Sequence, residues 1–147
     1  MPAGPAWELT PRQSIEIECA RRGMAQVVAG CVALLQGQDV DDEFILALGG
    51  PGGYRVLDDG PEQRNQYWRR VWGARGLLYA WTDEAEGAVV AALEDEHWRV
   101  REMAAKVAAK RRIGAALDPV AVLRTDPVPR VRAAAERATV LLTAAAS

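Results

Sequence analysis

The sequence predicts an all-α chain, an α-solenoid of stacked antiparallel helix pairs with about seven helices and no sheet. Three observations carry this expectation. First, one phrase is written twice, thirty-one residues apart: Asp95 with Val100 and Arg101, then Asp126 with Val131 and Arg132. A small residue follows each Arg at the third position, Ala104 and Ala135, and a worn third copy shows Arg70 and Gly73. A period of this length, carried by helix-forming residues, marks a helical repeat. Second, apolar residues recur at helical spacing along most of the chain. Third, the β-branched alternation of strands is nearly absent.

The elements follow in order. Thr10-Pro11-Arg12-Gln13 reads as a helix start, with Thr at the N-cap, Pro in the first turn and Gln at the capping-box position. Ile15, Cys19, Val27, Cys31 and Leu34 then keep helical spacing, while Gly23 and Gly30 weaken the helix or admit a close neighbour. Gly37-Gln38-Asp39 ends it, and Asp41 or Asp42 opens a short helix through Leu48. The Gly49–Gly53 stretch is expected to be a break, followed by a turn or short helix over Tyr54–Asp58. Gly60-Pro61 should start a long helix to about Trp81, and Asp83 with Glu86 caps another ending near Glu94. The last three helices are expected over His97–Arg112, Pro119–Arg124 and Pro127–Thr143.

The 147 residues are 50% hydrophobic and 26% charged, which suits one soluble globular domain and excludes a disordered chain. Within that domain, residues 1–60 read as an N-terminal helical cap and 61–147 as the repeats. The net charge of -2 is unevenly spread: residues 1–63 hold four Arg against ten acids, and residues 64–147 hold fourteen basic side chains against ten acids. Such segregation can steer a charged partner or join copies of the protein. Cys19 and Cys31, placed on one helix about 18 Å apart, are too distant to bond and are expected as reduced thiols. His97 is the sole histidine and no metal-ligand spacing occurs, so neither metal nor other cofactor is expected. The N-terminus lacks a signal-peptide pattern and no apolar run approaches the ~20 residues that span a bilayer, so a cytoplasmic protein without membrane contact is expected.

Each repeat pairs a shorter outer helix with a longer inner one. Ala104 and Ala135, beside Val100 and Val131, let neighbouring helices close to about 8–10 Å. Asp95 and Asp126 lie in the turn before the inner helix, placed to accept backbone N–H groups. The Arg six residues later reaches an Asp of its own or an adjacent repeat, and such a ladder would tie repeats together. This Asp, Val-Arg and Ala pattern resembles the HEAT repeat family over residues 83–143, with 61–81 as a degenerate copy that has Arg64 in place of the Asp. The resemblance implies an α-solenoid that works as a binding scaffold rather than an enzyme.

Candidate binding residues follow from the period. Arg75, Lys106 and Arg137 fall thirty-one apart on the inner helices, which line the concave face in HEAT-like stacks. Arg99 and Arg130 form a second column, with Lys110, Arg111 and Arg112 at one helix end. A row of cations suits an acidic protein or peptide, a second copy of the chain, or, less favoured, a nucleic-acid backbone. The alternative is a plain solvated face, with Arg101 and Arg132 absorbed by the ladder. Trp68, Trp72, Trp81 and Trp98 are expected to pack in the core, or, beside Arg69, Arg70 and Arg75, to form an aromatic-plus-arginine surface. HEAT-like repeats also build alkylpurine DNA glycosylases, a resemblance that makes Asp95 with Trp98, Trp68 and Trp72 the runner-up site; no catalytic residue is otherwise expected.

Overall fold

In a computed structural model, described over residues 9–59 and 65–146, the chain is helical with no strand among those residues. It divides into two compact units, Met1–Thr82 and Asp83–Ser147. The first holds α1 (Pro11–Arg22), α2 (Met24–Leu35), α3 (Asp42–Gly49), α4 (Pro51–Leu57) and α5 (Tyr67–Gly76). The second holds α6 (Glu86–Ala92), α7 (Trp98–Lys110), α8 (Leu117–Leu123) and α9 (Pro129–Ala146). Nine helices among the described residues replace the expected seven or so, and two glycines explain the difference.

Gly23 is the first. Its φ of 90° and ψ of 148° break the expected continuous helix into α1 and α2, which pack on each other. A residue without Cβ takes this conformation at little steric cost. Cys19 and Cys31 therefore belong to two helices, not one; both are free, Cys31 buried and Cys19 partly exposed. Gly50 is the second, with φ 57° between α3 and α4. The break expected across Gly49–Gly53 thus shrinks to one residue, and Pro51 opens α4 from the first helical position, where its missing N–H costs nothing. The Gly60-Pro61 helix start and Arg64 lie outside the described residues.

The capping box at α1 is formed: Gln13 N–H donates to Thr10 Oγ1 at 3.2 Å, and Thr10 N–H donates to Gln13 Oε1 at 2.9 Å. Asp41 caps α3 through Phe44 N–H at 2.9 Å. Gly37, at φ 75°, ends α2 with bonds from Gly37 N–H to Leu34 O and from Gln38 N–H to Ala33 O, the Schellman closure of a helix. Arg112 closes α7 by the same two bonds although it is not glycine, at φ 54°.

The core of the first unit is the α2–α5 contact. α2 carries no charged residue, as a central helix requires. Gly73 and Gly76 let α5 come down on it: an added Cβ would lie 2.7 Å from Cys31 O at Gly73 and 2.5 Å from Cys31 Sγ at Gly76. Gly30 likewise seats the Phe44 ring. α5 was expected to run to about Trp81 but ends at Gly76; the chain goes on in tight i→i+3 turns, Leu77, Leu78 and Tyr79 N–H donating to Ala74, Arg75 and Gly76 O. At the α1–α3 junction Arg22 donates to both Asp41 oxygens, at 2.7 and 2.9 Å, and lies over the Phe44 ring. Its Nε also sits 2.6 Å from buried Glu18, though without hydrogen-bond geometry.

In the second unit each longer helix follows a shorter one that starts in a tight turn, Asp83–Ala85 before α6 and Gly114–Ala116 before α8. α7 and α9 pack together, and each packs on its own partner, α6 or α8. Val100, Ala104, Val131 and Ala135 are fully buried in these contacts.

Candidate functional site

The repeated residues of the second unit make one seam. Asp95 Oδ1 accepts His97 N–H at 2.8 Å, and Asp126 Oδ1 accepts Val128 N–H at 2.9 Å. Both carboxylates thus close the turn before the long helix; the N-cap of α7 itself is His97, whose Nδ1 accepts Arg99 N–H. Arg101 donates to the Asp95 and Glu96 carbonyls, at 2.9 and 3.1 Å, and reaches across to both oxygens of Asp126, at 2.8 and 3.2 Å. Arg132 repeats the own-repeat bond, to Asp126 O at 2.7 Å. Burial alone raises the Asp126 pKa, but the Arg101 hydrogen bond, the Val128 N–H and the Arg101 and Arg132 charges outweigh it, so the net shift is downward.

Beside the seam lies the cationic face of α7 and α9. Arg99, Glu102 and Lys106 fall on one side of α7 at i, i+3 and i+7. Glu102 is buried, and Arg130 from α9 forks onto it with bonds of 2.9 and 3.1 Å. Lys106 Nζ stands 3.9 Å from the same carboxylate. Two guanidinium groups lie over the Trp98 ring, Arg99 at 4.5 Å and Arg130 at 5.1 Å from its centroid, each contact contributing about 0.5–1 kcal/mol where solvent reaches it. Arg137 is exposed one period beyond Lys106.

So four of the five expected binding cations, Arg99, Lys106, Arg130 and Arg137, stand on α7 and α9. Arg75 belongs to the first unit, half buried, its guanidinium donating to the Leu48 carbonyl; burial pushes its pKa down. Glu102 was not singled out from the sequence. Its signal was faint: an acid three residues after Arg99 and four before Lys106, inside an otherwise basic pattern. Trp98 was expected in the core and is only half buried, whereas Trp72 is buried. Counted by compact unit, the charge asymmetry largely dissolves: residues 1–82 carry eight basic and ten acidic side chains, residues 83–147 ten of each. Among the described residues no helix is long and apolar enough to cross a membrane. No family model matches the chain, and no curated protein matches it.

Proposed function

We propose that this protein is a non-enzymatic binding scaffold of HEAT-like character, a short α-solenoid that holds an acidic segment of a partner protein. The binding face is that of α7 and α9. The observation that carries this reading is the Trp98 indole with both Arg99 and Arg130 over its ring, and Arg130 held in place by buried Glu102. Trp and Arg are the residues that dominate interface energetics, and a guanidinium already fixed by a carboxylate loses little freedom on binding. Lys106 and Arg137 extend the face along the helices. The Arg101–Asp126 bridge supports the repeat reading, because it ties the arginine of one copy to the turn aspartate of the next, the counterpart of Asp95.

A protein ligand fits this face better than a nucleic acid. The second unit has no net charge, so it lacks the excess of cations that draws a nucleic-acid backbone. The test is capture by the full chain, read by mass spectrometry, with Lys106→Glu/Arg137→Glu and Trp98→Ala as companions. A partner held by the wild type and weakened at least about tenfold by both variants supports the scaffold. Capture indifferent to both variants overturns it. So does duplex DNA binding that falls steeply with salt, or release of methylated purines that Asp95→Asn abolishes.

A further inference from the structure

The first unit contains a cavity of about 240 Å³ lined by Gly52, Arg55, Val56, Asn65, Trp68 and Trp72. The two indoles come from successive turns of α5 and stack with centroids 6.2 Å apart at 27°. Glycines of the α3–α4 junction make the slot beside them. A Cβ at Gly49 would strike Trp72 at 2.5 Å, so glycine seats the ring there. At Gly52 a Cβ would meet Trp72 at an ordinary 3.4 Å, so the missing side chain leaves open space over the indole. Arg55, one turn further along α4, is exposed at the rim.

We propose that this slot binds a small planar aromatic acid. The volume suffices, since a dry apolar cavity of about 150 Å³ already holds benzene. The walls favour a flat ring, because stacked and edge-on aromatic contacts add to simple burial. The charge follows from Arg55, whose fork donates two parallel hydrogen bonds to a carboxylate. Among the described residues no acid pairs with Arg55, whereas Arg12, Arg21 and Arg22 are engaged by Glu16, Glu18, Asp41 and Glu43. This assignment is independent of the α7–α9 face and stands or falls without it.

The experiment is a titration of the ¹⁵N-labelled full chain with phenylacetate, and with phenylacetamide as its neutral analogue, following the indole N–H resonances of Trp68 and Trp72. Phenylacetate should shift both saturably with a dissociation constant on the order of 0.1–1 mM, which about ten non-hydrogen atoms support. The amide should bind about tenfold more weakly, and Arg55→Gln should remove that difference. Gly52→Leu should fill the slot and reduce binding by at least about tenfold, in a helix that replacing glycine favours. Arg55 is exposed, so its variant reports even if Gly52→Leu disturbs folding. Three results would overturn the proposal: no saturable shift of these indoles up to about 10 mM, undiminished binding to a folded Gly52→Leu, or an acid-to-amide preference that Arg55→Gln leaves intact.

Discussion

The Arg101–Asp126 bridge gives the sharpest test of how the second unit holds together. Asp126 is 7% exposed and the Arg101 side chain 15%, so neither charge has much water to fall back on. Asp126→Ala removes both bonds from Arg101 and the acceptor for Val128 N–H. Breaking one partner of a buried pair costs about 3–5 kcal/mol. Arg101 keeps its bonds to the Asp95 and Glu96 carbonyls, so the lower end applies, about 3 kcal/mol. Asp126→Asn keeps the turn acceptor but loses the charge and the oxygen that accepts Arg101 Nε, and should cost about 2 kcal/mol. With a urea slope of about 1.5 kcal/mol/M, the midpoints fall by about 2 M and 1.3 M. A double-mutant cycle with Arg101→Met, read by circular dichroism at 222 nm, should give a coupling of about 2 kcal/mol. Equal midpoints for the Ala and Asn variants, or a coupling under about 0.5 kcal/mol, would refute the reasoning. The pH dependence has a definite sign. A carboxyl whose folded pKa is depressed stabilises fully above its unfolded value of about 3.9 and loses that stabilisation as pH falls towards the folded value.

Other outcomes follow from the first unit and from the helix ends. Gly73→Ala should destabilise by about 1–3 kcal/mol in thermal unfolding, because its Cβ lands on α2 backbone. Asp41, held at about 2 chiefly by its Arg22 hydrogen bond, should regain an ordinary carboxylate pKa in Arg22→Gln when followed by NMR. The pair is half open to solvent, so acidification from about pH 4 towards 2 should remove less than about 1 kcal/mol through this group. Cys31, pushed up to about 12 chiefly by burial, should resist a thiol reagent at pH 8 until the chain is unfolded, while Cys19 reacts in the native state. Arg112→Gly should raise stability by about 0.5–1 kcal/mol by relieving a left-handed residue.

Much of the local structure was legible because single residues determine it. The Thr10 capping box, the Asp41 cap and the Gly37 stop are short-range chemistry, readable within four residues. The second unit was legible for another reason: the aspartate that closes each turn and the arginine that returns to its carbonyl are the same letters in both copies. Gly23 was ambiguous, since a lone glycine inside a helical pattern either breaks the helix or admits a neighbour. Gly23 does the first and Gly30 the second, and only the surrounding fold separates them. The candidate face was half legible. Periodicity aligned Lys106 with Arg137 and Arg99 with Arg130, but it said nothing of the acid between them, because Glu102 and Arg130 are offset by one helical turn. Arg75 matched the period in spacing alone; whether a cation meets water or a carbonyl such as that of Leu48 depends on packing from distant parts of the chain.

The seam between the two copies also has an implication for how such a chain changes length. Arg101 grips the turn acid of the copy that follows, and Arg132 already holds the carbonyl its counterpart holds. Splicing a duplicate of residues 95–125 after Thr125 would present both copies of Arg101 with an aspartate in its accustomed place, Asp95 of the duplicate or Asp126 of the original. Growth by whole units leaves the joints unaltered, whereas an insertion of any other length throws the carboxylates out of step with the guanidiniums they answer.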